Sequence, residues 1–259
     1  MNPISMTLCR GFLRILAPLV LSLTSVCAAA QPQVTLTVSA AASLTDALKE
    51  VAARLQADRP GLELRLNFAA SGVLLQQIAQ GAPVDVFASA DQATMDRAAA
   101  EGLIVPATRR DFASNLLVLV SPAQAPIASL ADLRRPEVRR VAIGKPATVP
   151  AGRYAQQVLD HAGLASALAP RLVPADNVRQ VLDYVARAEV DAGFVYRTDA
   201  QRFARQLRIV PLEGGYEPVR YPVAVVKGSA HAELARELID FLLAPQGQEI
   251  LARHGFGRP

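Results

Sequence analysis

Val34-Thr-Leu-Thr-Val-Ser-Ala-Ala-Ala-Ser-Leu-Thr-Asp-Ala-Leu-Lys-Glu-Val-Ala-Ala-Arg-Leu55 carries two hydrophobic periods, one after the other. Val34, Leu36 and Val38 alternate with Thr35, Thr37 and Ser39, the period of two expected of a half-buried strand. Leu44, Leu48, Val51, Ala52 and Leu55 then fall on one face of a helix. Alternation returns at Leu62, Leu64, Leu66 and Phe68, set against Glu63, Arg65 and Asn67. The opening therefore predicts strand, helix, strand.

The same alternation runs on along the chain. Helices are expected at 73–79, 92–101, 153–161 and 178–186, with strands at 85–89, 116–120, 141–143, 193–196 and 221–226. The C-terminal stretch predicts two helices, 231–243 and 246–253, split at Pro245. Strands that alternate with helices imply a mainly parallel sheet covered on both faces. One core rarely grows past about 250 residues, and the strands fall into two groups, so two α/β lobes are expected. The strands at 116–120 and 221–226 are the candidate crossings, which puts 31–115 plus 221–259 in lobe 1 and 116–220 in lobe 2, with a cleft between them.

Residues 1–30 read differently from the rest. Arg10 and Arg14 precede an apolar run from Ile15 to Val26, too short for a permanent membrane span, and Ala28-Ala-Ala30 offers a cleavage site. A secretory signal peptide ending at Ala30 is expected; lipidation of Cys27 is the alternative. Removing Arg10 and Arg14 lowers 27 basic residues to 25 against 23 acidic ones, so the net charge falls from +4 to +2. That balance implies no nucleic acid or other polyanionic partner. Both cysteines, Cys9 and Cys27, leave with the signal, which suits an oxidising compartment and excludes a Cys nucleophile. At 51% hydrophobic and 19% charged, the remainder reads as a globular protein.

In open α/β sheets, ligands sit beyond the carboxyl ends of strands, where helices begin. Four such places carry small residues: Ala40-Ala-Ala-Ser43, with Ser43 expected as a helix N-cap, Ala69-Ala-Ser-Gly72, Val149-Pro-Ala-Gly152 and Ala175-Asp-Asn-Val178. Each alone is an ordinary turn or cap. Together they offer several helix N-termini whose free amides can converge on an anion without Lys or Arg.

These segments, with Phe68-Ala-Ala-Ser71, Gly81-Ala-Pro-Val-Asp-Val-Phe-Ala-Ser-Ala-Asp91, Asp176-Asn-Val-Arg179, Gly193-Phe-Val-Tyr196 and Tyr221-Pro-Val-Ala-Val225, resemble the periplasmic molybdate-binding proteins that serve molybdate ABC transporters. The resemblance spans nearly all of the chain after residue 31. It implies the two-lobed periplasmic binding protein fold of type II, with two α/β domains joined by two crossings, and a monomer that binds molybdate or tungstate and delivers it to a membrane permease and its ATPase. It also implies that the oxyanion is held by neutral donors: the hydroxyls of Ser43, Ser71 and Tyr196 and the backbone amides of Ala151 and Val178. These would be partners of the oxygens rather than direct metal ligands, and no cofactor is implied. Arg153, close to the Ala151 amide, is expected to add long-range positive charge.

Other readings stay open at this stage. Within the same class stand sulfate, thiosulfate or another small anion. A secreted phosphoryl-handling enzyme would need a nucleophile or metal motif, and the sequence shows neither HExxH nor a glycine-flanked Ser elbow. A ligand-sensing regulator would need a DNA-binding module. Asp85 and Asp91 could pair as acid and base, although a strand start and a helix cap explain them as well. His161, His231 and His254 are spaced as helix-end or surface residues, and Arg134, Arg135, Arg139 and Arg140 as a solvated basic face.

Overall fold

The computed structural model describes residues 33–259, so the expected signal peptide and both cysteines lie outside the described residues. The described residues build two five-stranded sheets. The first lobe begins with β1 (Val34–Ala41), α1 (Thr45–Asp58), β2 (Leu62–Ala69), α2 (Ser71–Ala79), β3 (Val86–Ala88), α3 (Gln92–Ala100) and β4 (Arg110–Asn115). The second lobe follows as β5 (Leu117–Pro122), β6 (Val141–Gly144), α4 (Pro150–His161), α5 (Ala165–Leu168), β7 (Leu172–Ala175), α6 (Val178–Ala186), β8 (Ala192–Tyr196), α7 (Arg197–Gln201) and β9 (Leu207–Pro211). The chain then returns to the first lobe with β10 (Val219–Val225), α8 (Ala232–Leu243) and α9 (Pro245–Arg253).

Strand order is β2-β1-β3-β10-β4 in one sheet and β7-β6-β8-β5-β9 in the other, the same pattern twice. Each sheet is parallel except for one reversed strand: β10 runs against β3 and β4, and β5 runs against β8 and β9. The reversed strand is in each case the one that enters from the other lobe. Leu116 alone links β4 to β5, and residues 212–218 link β9 to β10. The sheets are thus mixed rather than wholly parallel, because each crossing delivers its strand from the opposite side.

Alternation in β1 does what its sequence implies: Leu36 and Val38 are buried, and α1 covers them with Ala47, Leu48, Val51 and Ala52. The strand ends are buried too, through Ala40 and Ala41. Tiny side chains let the following turns pack close over the sheet. In the second lobe, the start of α4 lies against the end of β6. A Cβ on Gly152 would stand 2.0 Å from the Gly144 carbonyl oxygen, so this close approach requires glycine.

Ser43 departs from the sequence expectation. It lies inside a 3-10 turn, Ala42–Leu44, and makes no capping bond; the helix after it starts at Thr45 with Leu44 as its N-cap. Asp46, in the first turn of α1, faces arginines of the other lobe. Asp91 and Asn177 do cap their helices, accepting from the Thr94 and Gln180 amides.

Candidate functional site

A small cavity lies between the lobes at the carboxyl ends of the parallel strands. Ser43, Ser71, Ala151, Val178 and Tyr196 all line it, joined on the first lobe by alanines at 41, 42, 69, 70 and 90. Among the described residues, no Lys, Arg, His, Asp or Glu is on the wall. The cavity volume is about 10 Å³, room for about one water-sized group. A larger hollow of about 600 Å³ lies at the opposite end of the first sheet, lined by Arg65, Asp85 and His231 among others. It is an open surface feature away from the converging helix starts.

Three helices start at the cavity: α2 with Ser71, α4 with Pro150 and Ala151, and α6 with Val178. The first amides of a helix have no intrahelical acceptor and sit at its positive end. Pro150 suits the first position, since it has no N–H to leave unsatisfied, and it passes the donor role to Ala151. Ser71 Oγ accepts the Ala90 N–H at 3.0 Å, which leaves the serine proton free to be given elsewhere. Ser43 Oγ lies 3.0 Å from Tyr221 Oη, and Tyr196 Oη lies 3.5 Å from the Ala90 carbonyl oxygen. Burial pushes the Tyr196 phenol well above its ordinary pKa, and neighbouring Tyr221 adds to the rise, so it keeps its proton and can donate.

Charged groups surround the cavity, but they pair with one another across the lobes. Arg153 of α4 places Nε 2.8 Å from Asp91 Oδ2 and its guanidinium 2.6 Å from Thr94 Oγ1. The expected long-range positive charge of Arg153 is therefore offset by a carboxylate whose side chain is 4% exposed. On the other flank Asp46 of α1 takes Arg179 at 3.0 Å and Arg202 at 2.7 Å, both from the second lobe. Gly72 donates its N–H to the Thr148 carbonyl at 2.9 Å, again from one lobe to the other. These contacts hold the lobes closed over the cavity.

Asp199 is fully buried beneath this rim, 2.5 Å from Arg179 Nε. Burial raises its carboxyl from 3.8 to about 6, against the opposing pull of Arg179. Folding thus takes up a proton between those values: the group's stabilising contribution is complete below pH 3.8 and is lost as pH rises to about 6. For Asp199→Asn, thermal melts should show wild-type minus variant Tm falling from about pH 4 to about pH 6, then levelling off. A difference that grows across that interval contradicts the assignment.

The remaining candidates are separate from the cavity wall. Asp85 lies before β3 and Asp91 beyond its other end, so they do not form an acid–base pair; Asp85 accepts from the Thr37 amide and the Ser229 hydroxyl. His161 ends α4, His231 precedes α8, and His254 follows α9 beside Glu50. Among the described residues, no three His, Cys, Asp or Glu gather as a metal site. Sequence reasoning missed Asn115 and the role of Tyr221, which stand behind Ser43. Tyr221 sits in a segment that carried the resemblance, but its place on β10 gives no hint that it reaches β1's end.

Comparison with known proteins places this arrangement. Residues 36–257 match the family described as bacterial extracellular solute-binding protein. The molybdate-binding protein ModA of Escherichia coli is 38% identical over 229 residues, covering 85% of this chain and 88% of that protein. The solved periplasmic molybdate-binding protein of Azotobacter vinelandii superposes with a TM-score of 0.79 at 27% identity, covering 86% of this chain and 99% of the other. The sulfate-binding protein SubI of Mycobacterium tuberculosis shares the fold, with a TM-score of 0.75, 20% identity and 86% coverage of both chains.

Proposed function

The chain belongs to the bacterial extracellular solute-binding protein family, and from that premise we propose that its cargo is molybdate, with tungstate as a close substitute, held in the interlobe cavity. It is a binding protein and not an enzyme. Ser43 and Ser71 supply donors from the first lobe; Ala151, Val178 and Tyr196 supply them from the second. The observation that carries this reading is a wall of neutral donors contributed by both lobes.

A fully ionised tetrahedral oxyanion only accepts hydrogen bonds, so a receptor made of donors matches every oxygen. Several charge-assisted bonds at about 1.5–3 kcal/mol each are enough to reach the roughly −8 kcal/mol of a micromolar complex after desolvation. No salt bridge to the anion is needed. Hydrogen phosphate brings a proton that finds no carboxylate here, which disfavours it. Sulfate has no such proton, so its rejection has to come from its shorter bonds, which place its oxygens differently against donors fixed by both lobes. Because the donors come from both lobes, the anion binds the closed form better than the open one, and that difference drives closure. The closed protein then presents its cargo to the permease and ATPase of an ABC transporter, after export through the signal peptide at 1–30 into the periplasm.

Calorimetric titration with molybdate, tungstate, sulfate and phosphate tests the proposal. Molybdate and tungstate should bind alike, with sulfate and phosphate far weaker; sulfate binding as tightly as molybdate refutes the size argument. Ser71→Ala removes a donor and also strands the Ala90 N–H, so molybdate affinity should fall at least about tenfold, ~1.4 kcal/mol.

A further inference from the structure

The Ser43 side of the cavity is backed by a hydrogen-bond chain whose direction is fixed at its far end. Asn115, the last residue of β4, accepts the Leu116 N–H on Oδ1 at 2.9 Å, which turns its amide nitrogen the other way. Asn115 Nδ2 then donates to Tyr221 Oη at 3.1 Å and to Thr198 Oγ1 at 2.9 Å. An amide nitrogen can only donate. Tyr221 is therefore an acceptor towards Asn115, and its own proton goes to its other hydrogen-bonding partner, Ser43 Oγ at 3.0 Å. Tyr221 is fully buried, where an undonated hydroxyl proton is strongly disfavoured. Ser43 thus receives a hydrogen bond from behind, and its own proton is left for the cavity. The alternative, with Ser43 giving its proton to Tyr221 and a lone pair to the ligand, would orphan the buried Tyr221 proton.

We propose that Tyr221, oriented by Asn115, is a positioning residue that sets the selectivity of the site: it fixes Ser43 as a donor and so excludes oxyanions that carry a proton of their own. Neither Tyr221 nor Asn115 lines the cavity. The inference rests on the oxyanion reading above and adds to it the residues that give the serine its polarity. Ser71 is set the same way by the Ala90 amide, a backbone group that no side-chain substitution removes. Tyr221 and Asn115 are the adjustable part of the arrangement.

Asn115→Asp reverses the chain. A carboxylate at 115 accepts from Tyr221, Tyr221 accepts from Ser43, and Ser43 turns a lone pair to the ligand. Titrations at about pH 8 compare molybdate with hydrogen phosphate, both dianions there, so the added charge at 115 acts on the two alike. The molybdate-to-phosphate affinity ratio should fall at least about tenfold in Asn115→Asp, while the molybdate-to-sulfate ratio holds, since neither of those ions carries a proton. Tyr221→Phe unpins Ser43 without reversing it and should give a smaller loss in the same direction. In the Tyr221→Phe background, Asn115→Asp should leave the phosphate ratio where Tyr221→Phe put it, because the link to Ser43 is cut. A merely structural role would move all three anions together. Should Asn115→Asp fail to melt cooperatively, Tyr221→Phe carries the test alone. A selective wild-type protein whose phosphate ratio is unchanged in the folded variants overturns this inference only. A wild-type protein that binds none of the anions overturns the functional reading and this inference with it.

Discussion

Replacing Gly72 by alanine should cost this protein much of its ligand affinity while leaving the unliganded fold intact. Gly72 is the second residue of α2 in the first lobe, and a Cβ there would lie 2.8 Å from both Cα and the carbonyl oxygen of Thr148 in the second. The clash is with backbone, which has no rotamer to turn, and it arises only when the lobes meet. Forcing one extra methyl into such a contact costs about 1–3 kcal/mol, here charged to closure alone, so affinity should fall roughly 5- to 150-fold. In the open form the same methyl sits in a helix, where alanine is favoured over glycine by up to about 1 kcal/mol. The unliganded Tm should hold or rise while the ligand-induced increase in Tm shrinks. An unchanged affinity would mean that binding does not require the lobes to come this close.

Arg153→Ala should weaken binding as strongly by a different route. In the closed form it leaves the Asp91 carboxylate buried at the lobe interface without its guanidinium, and it deprives Thr94 Oγ1 of a donor. Truncating one partner of a buried, hydrogen-bonded charge pair costs about 2–5 kcal/mol, mostly from the charge left behind. When the lobes separate, water reaches Asp91 and most of that penalty disappears. The expected result is an affinity loss of at least about thirtyfold, which Asp91→Asn in the same chain partly restores because no bare carboxylate remains. Stopped-flow mixing should show faster ligand release. If Arg153→Ala instead binds as the wild type does, the ion pair forms without bearing on closure.

The sequence pattern makes some of this architecture legible and hides the rest for identifiable reasons. Strands with buried neighbours on both sides, such as β1, β6 and β8, carry continuous or alternating apolar residues and stand out. The strands that do not, β4, β7 and β9, are all outermost in their sheets. Edge strands carry polar residues and proline because one flank needs no partner, and Pro174 in β7 and Pro211 in β9 are examples. Ser43, Ser71, Ala151, Val178 and Tyr196 could be named because tiny residues and helix starts mark places where backbone meets ligand. Their surroundings could not. The partnership of Arg153 with Asp91 spans 62 residues, and that of Ser43 with Tyr221 spans 178. Such pairings follow from how the lobes close, which no local period encodes.

The exchange of reversed strands between sheets bears on how the polypeptide acquires its shape. Between its first and last strands, the second sheet draws on one unbroken stretch, β5 to β9, whereas the first sheet is incomplete until β10 arrives. A chain that emerges N-terminus first can therefore finish its later-encoded half before its earlier one, with β3 and β4 waiting side by side for the strand that will separate them. During that wait both present unpaired backbone to any passing strand. Residues 219–225, inserted last, convert two open edges into an interior seam, so truncation just before them would yield a sound second lobe fused to a sticky, unfinished first.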